Sequence, residues 1–284
     1  MSFDLLITAF TNQPLPAFTI SVAIFAAFLM GFARSGIGAG GFVVSPLMVL
    51  ALGASDGLAV VAILMLPAAV MGFWQHKGEA APNQLRPLIA SSVIGTTLGA
   101  LILWHLVADG DMTLIHRRLE VVVAALSLVF VVLICLREKI AKLAVNLAPP
   151  SQMSLFMMGT AVGVSQTVAN SGSPLITVYF LCYRIARQHF VGAQVAYLLV
   201  QNSLKVVPLI LLGILHLGNA GAAILLIPLT FAGSWLGQRF FLKASDRAFF
   251  RLYVGLLIVG LTASALLLVG RDPVIHAIES LTTH

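Results

Sequence analysis

Long apolar stretches, interrupted by small clusters of charge, run the length of this 284-residue chain. Ten can be marked, at about 17–33, 41–55, 57–75, 86–107, 118–136, 153–169, 171–183, 190–213, 218–241 and 248–269. Asp56 and Lys77 enclose 20 uncharged residues, Arg86 and Asp109 enclose 22, and Arg251 and Arg271 enclose 19. A helix rising about 1.5 Å per residue needs roughly 20 apolar residues to cross a bilayer. Lys142 and Arg184 enclose 41, enough for two crossings or a broken pair. The pattern predicts an all-α polytopic membrane protein. Composition agrees: 60% of residues are hydrophobic, 9% are charged, and the mean hydropathy is +1.03. Soluble domains carry roughly 25% charge, so too little polar surface remains here to cover a globule.

The one sizeable linker, 137–150, ends in Pro149-Pro150 and divides the chain near its middle. Its place suggests a duplication. Met30–Leu47 reads MGFARSGIGAGGFVVSPL and Met158–Leu175 reads MGTAVGVSQTVANSGSPL, with six of eighteen positions identical and no gap. Further on, Gly95-Thr-Thr-Leu-Gly99 corresponds to Gly233-Ser-Trp-Leu-Gly237, and Arg118-Leu119 to Arg251-Leu252. Small residues four apart let membrane helices approach closely. The expected organisation is a first transmembrane repeat over 1–136, a cytoplasmic linker over 137–150 and a second repeat over 151–284, with five hydrophobic segments per repeat.

Charge sets the orientation. With 137–150 on the cytoplasmic side, that side holds Lys77, Arg86, Arg137, Lys139, Lys142, Arg184, Arg187, Arg239, Lys243, Arg247 and Arg251. The other side holds Arg117, Arg118 and Arg271. Positive residues concentrate inside, so a multi-pass protein of the inner (plasma) membrane is expected, with both termini outside. Five segments per half make the halves inverted copies, a common plan among secondary transporters. The short second and seventh segments are either full spans or re-entrant partners of the segments before them; charge does not separate these. The N-terminus lacks a basic n-region and a small-residue cleavage site and is read as a lead-in to the first span. Cys135 and Cys182 lie within apolar runs and imply no disulfide.

Three constellations carry chemistry. Gly36-Ile-Gly38-Ala-Gly40-Gly41, followed by Ser45-Pro46, should interrupt a helix, because glycine costs about 1 kcal/mol against alanine in a helix interior. Such a break is tolerated within a membrane only against protein or a wet cavity, and the amides opening the next half-helix suit an anion. The matching stretch replaces glycines with Gln166, Asn170, Ser171 and Ser173 before Pro174, where Asn170 or Ser171 is placed to cap the following half-helix. Third, Lys205 lies inside an apolar segment one turn from Gln201 and Asn202, with Pro208 loosening the helix beyond it. No carboxylate lies mid-span to pair with Lys205. Arg34, at the edge of the first break, is a second intramembrane cation or an interfacial anchor. Cations without acidic partners predict a small anionic substrate, and no cofactor or metal is implied.

Other classes fit less well. The net charge of +6 is dispersed over short loops, with no basic stripe for nucleic acid. The glycine string follows no strand, so it is not a dinucleotide loop. There is no HExxH, no paired carboxylates and no Ser/His/Asp arrangement within the spans for a membrane-embedded enzyme. An anion channel is the nearer alternative to a carrier. Protons are a candidate coupling ion, carried by the substrate or by histidine, because no mid-span carboxylate offers a relay.

The GIGAGGFVVSPL string, its second copy ending SGSPL, the paired GxxxG segments and Asn202-x-x-Lys205 ahead of Leu212-Gly213 resemble the sulfite exporter TauE/SafE family over about 20–270. The resemblance implies a transporter of sulfite, sulfonates and related sulfur-containing or organic anions. By position it places the family's glycine-rich motif on Gly36, Gly38, Gly40, Gly41 and Pro46, and the second copy on Asn170–Pro174. The chain departs from the family pattern at Gln166, Thr167 and Val168, where glycine is common, which leaves room for a larger anion held by side-chain hydrogen bonds.

Overall fold

The computed structural model describes residues 10, 13–36, 40–76, 82–108, 110–143, 151–182, 187–243 and 245–282. These form eleven helices. In the first half they are α1 (Pro16–Gly36), α2 (Gly41–Leu52), α3 (Ala54–His76), α4 (Pro82–Val107) and α5 (Met112–Leu143). In the second they are α6 (Gln152–Ala169), α7 (Ser173–Cys182), α8 (Arg187–Leu211), α9 (Leu217–Lys243), α10 (Asp246–Val269) and α11 (Arg271–Thr282). No strand occurs among the described residues. In hydrocarbon every backbone polar group must find an internal partner, and the α-helix satisfies that requirement within one segment.

All ten hydrophobic segments are helical, but they are not equivalent. Six (α1, α3, α4, α5, α8 and α9) are long and apolar enough to cross a membrane, and α10 with α11 forms a seventh unit bent by 102°. Helix α2, with 12 residues, and the 10 described residues of α7 reach only about 15–18 Å at 1.5 Å per residue. That is well short of the roughly 30 Å hydrocarbon layer. The expected linker is partly helix: α5 continues through 137–143, a stretch of good helix formers, and 144–150 lies outside the described residues.

Helix α11 was not anticipated from the apolar pattern. Gly270, at φ 119°, turns the chain out of α10. Val274, Ile275 and Ile278 then lie on the buried side of α11, and Val274 and Ile278 pack with Val49, Leu50, Ile115 and Leu119. Arg271 spans the turn, donating from Nε to the Leu50 carbonyl at 3.1 Å and from Nη2 to the Ala51 carbonyl at 3.2 Å. Arg117 does the same for α10, reaching the carbonyls of Leu267 at 3.0 Å and Leu268 at 2.6 Å. The last carbonyls of a helix have no intrahelical donor and carry the negative end of its dipole, so a guanidinium serves both needs.

The longest contacts are α1 along α9 and α4 along α6. Numbering α1–α5 against α6–α10, several of the helix contacts have counterparts, although among the described residues α2–α3 and α2–α5 have none of comparable extent. The α1–α9 contact corresponds to α6–α4, α3–α9 to α8–α4, and α2–α10 to α7–α5, while α3–α8 and α5–α10 correspond to themselves. The GxxxG glycines lie at the two longest crossings. A Cβ on Gly95 would stand 2.7 Å from the Thr160 carbonyl oxygen and 2.8 Å from Gly163 Cα, and one on Gly233 would overlap the Phe28 carbonyl. Helices meeting this closely gain dispersion contacts along their backbones, the main attraction available where lipid is as apolar as leucine.

Gly233→Ala should therefore lower stability by about 1–3 kcal/mol, the usual loss when a tight crossing is overfilled. Gly255→Ala, whose Cβ would meet nothing within 4 Å, should leave the melting temperature of the purified protein nearly unchanged. Equal shifts for the two would contradict a close-packed α1–α9 crossing.

Candidate functional site

The two helix breaks are built differently. Helix α6 ends because Asn170 takes the left-handed conformation, φ 56° and ψ 22°, with its amide closing the last turn on the Gln166 carbonyl at 3.1 Å. It is the single non-glycine residue of positive φ among the described residues, and asparagine tolerates that region better than most residues. Two residues later the Gly172 amide donates to Gln166 Oε1 at 2.9 Å, and α7 begins at Ser173. Helix α2 begins at Gly41. Gly40 precedes it without a capping side chain, and the Gly40 carbonyl accepts from the amides of Val43 and Val44 at 3.1 and 3.0 Å. The first amides of such a helix have no intrahelical partner.

The breaks meet. A Cβ on Gly41 would overlap the Asn170 carbonyl oxygen and lie 2.8 Å from the Met65 methyl carbon. Only glycine lets the start of α2 come this near the end of α6.

Lys205 reaches the same place from α8. It is wholly buried, and its Nζ donates to Asn170 Oδ1 at 2.5 Å and to Met65 Sδ at 3.3 Å. Asn170 is held in turn by its Nδ2, which donates to the Leu58 carbonyl at 3.0 Å. Gln166 Nε2 donates to Met65 Sδ at 2.9 Å and to Asn202 Oδ1 at 3.1 Å. Among the described residues no carboxylate pairs with Lys205. Burying a charge that has only neutral partners is expensive. Arg34 adds to the imbalance. It is buried near the end of α1 and its Nη2 lacks a hydrogen-bond partner. Asn202 Nδ2 and Ser45 Oγ are also buried without partners. Buried polar atoms of this kind call for an explanation, an ion among them. Two cations, spare donors and a half-helix N-terminus make a site suited to an anion and hostile to a cation.

The expected site residues divide into groups. Asn170, Gln166, Asn202, Lys205 and Gly41 come together directly, with Gly40 adjoining. Ser173 and Pro174 open α7. Gly36 is the last residue of α1, and Gly38 lies outside the described residues. Gln201 points elsewhere: its Nε2 bonds Thr96 Oγ1 at 2.9 Å, Thr167 Oγ1 at 3.1 Å and the Gly163 carbonyl at 3.2 Å, tying α8 to α4 and α6. Neither Asn170 nor Ser171 caps α7 through its side chain. The Asn170 amide bridges Leu58 and Lys205, and Ser171 Oγ turns back to the Ala169 carbonyl at 2.6 Å. Ser45 and Pro46 lie inside α2, about one turn past its start. Met65 and Leu58 were not legible as site residues, since a methionine in AILMLP and a leucine carbonyl carry no local polar signal.

The geometry is therefore that of a cluster of buried hydrogen-bond donors and cations enclosed by packed helices. Residues 23–264 match the family model described as Sulfite exporter TauE/SafE. No curated protein and no solved structure matches the chain. The match takes in every residue that meets at Lys205, from the first break to α8, and with it the chain belongs to the sulfite exporter TauE/SafE family, a family of membrane transporters.

Proposed function

We propose that this chain is a secondary transporter that carries a small anion (sulfite, a sulfonate or a related sulfur-containing or organic anion) across the inner membrane by alternating access. The observation that carries the reading is Lys205: a buried ammonium whose partners are an amide oxygen and a thioether. An entering oxyanion would give this ammonium a partner of opposite charge, which a neutral amide oxygen and a thioether cannot supply. Arg34, Asn202 and the first amides of α2 are the further donors. The counterpart helix contacts support two inverted repeats, 1–136 and 151–284, rocking about a shared site, the usual route for carriers of this plan. The positive-inside count supports a cytoplasmic 137–150 and outer termini. The second reading, an anion channel, would use the same charges but would neither saturate nor exchange.

Purified protein in liposomes should exchange labelled sulfite or a small sulfonate against the same unlabelled anion, with saturation. Flux that rises linearly with gradient and ignores the opposite side would favour the channel. Lys205→Ala should abolish exchange while leaving the protein folded, and near-normal exchange by that variant would sink the assigned role. A ligand at 100 times its dissociation constant adds roughly 2.7 kcal/mol of stability, so the binding anion should also raise the melting temperature of wild type but not of Lys205→Ala.

Orientation has its own check. In a background with Cys135 and Cys182 replaced, Lys139→Cys should react with a membrane-impermeant thiol reagent from the cytoplasmic face. Asp111→Cys should react from the opposite face; labelling of both from one side would refute the assignment.

A further inference from the structure

Met65 stands where the donors converge. Lys205 Nζ at 3.3 Å and Gln166 Nε2 at 2.9 Å both point at its sulfur, and its methyl carbon lies against the start of α2 at Gly41. A thioether is a weak acceptor. Each donor also has an amide oxygen, Lys205 that of Asn170 and Gln166 that of Asn202. The bond each makes to the shared sulfur is weak, however, and an oxyanion oxygen in its place would serve both better. Methionine is also unbranched, with three rotatable bonds, so it can leave a packed position without moving its backbone. Pro67, two residues on in α3, cannot donate to the carbonyl of Ile63 and so loosens the helix on either side of Met65.

We infer that Met65 is a removable plug: its thioether fills the seat that the anion's oxygens take, must withdraw for the anion to bind, and through its bulk limits the size of anion accepted. This rests on the anion-site reading above. The plug contributes two effects. It lowers apparent affinity, because the binding-competent state is only the fraction in which the side chain has swung away. It also keeps the empty site dry and its donors partly engaged, so that Lys205 is not left facing hydrocarbon.

Two substitutions move binding in opposite directions. Met65→Ala removes the plug, and sulfite should bind several-fold tighter, while benzenesulfonate, too bulky for the wild-type seat, should now bind. Met65→Gln keeps the length but offers an amide oxygen, a stronger internal partner for Lys205 and Gln166, and should bind sulfite several-fold more weakly. Binding is read on the full-length protein in nanodiscs by melting shift across a concentration series. In protein labelled with 13C-methyl methionine, the Met65 signal (assigned by its loss in Met65→Gln) should shift saturably with sulfite at the same midpoint. Saturable binding with a stationary Met65 methyl overturns the plug and leaves the anion site standing, as does unchanged affinity and size selection in both variants. Anion binding by Met65→Ala alone, with none by wild type, supports the plug as a complete block. If wild type and both variants bind neither anion, the anion site itself falls and the plug falls with it.

Discussion

The structure turns on one electrostatic constraint, a wholly buried ammonium with no carboxylate to answer it. Lys205 sits in α8, wholly buried, and its nearest partner is the amide oxygen of Asn170. An amide can orient a dipole toward the charge but cannot neutralise it. The surroundings are accordingly arranged around what the lysine lacks. Asn170 is pinned by Leu58, Gln166 is tied to Asn202 and to the Gly172 amide, and Arg34 is a second buried cation. On the proposed reading, such an arrangement destabilises the empty protein and favours a negative solute that enters. A transporter needs that asymmetry, because a site fully satisfied without its substrate has no reason to bind it.

The backbone supplies the other half of the design. Two helices stop inside the bundle, and each leaves polar groups that lipid cannot satisfy. The breaks meet this in different ways. The first uses glycine, which brings α2 against Asn170 and leaves the amides of Gly41 and Phe42 unclaimed by their own helix. The second uses side chains, with Gln166 bonding the Gly172 amide and Ser171 bonding the Ala169 carbonyl. Among the described residues the second break is therefore largely self-satisfied, whereas the start of α2 has no capping side chain. Matching sequence positions have taken on different work. At its far end the short α2 is secured more simply: Arg271 binds its last carbonyls, as Arg117 binds those of the long α10.

Between the two halves, the paired contacts place α3 and α8 side by side, and the site lies where they, α2 and the end of α6 converge. Asp56, at the start of α3, is joined to Asn219 Nδ2 at 3.0 Å and to His216 Nε2 at 3.2 Å, so the halves are linked by polar contacts there as well. Leu58, which holds Asn170, is two residues from Asp56. Motion at that end of α3 would reach the lysine through a single amide.

Much was determined by the sequence alone. Long uncharged runs dictate membrane helices, because a polar backbone in lipid has few other solutions. A glycine string and a polar string at matching places dictate interruptions. A lysine in an apolar run with no acid to meet it points to an anion, and the family match agrees with a transporter of that class. Other features needed the third dimension. Whether Gln201 joins Lys205 or turns toward Thr96 depends on how α8 is rotated against α4 and α6, and spacing along one helix cannot fix rotation against two others. Asn170 looked like a cap for α7, but its left-handed backbone, set by packing on Gly41, sends its side chain to Leu58 and Lys205 instead. Met65 shows the limit most clearly. Nothing in an apolar stretch distinguishes one methionine from a packing residue until a lysine 140 positions away is folded against its sulfur. Local pattern records what each segment needs, whereas partner choice belongs to the packing of the whole.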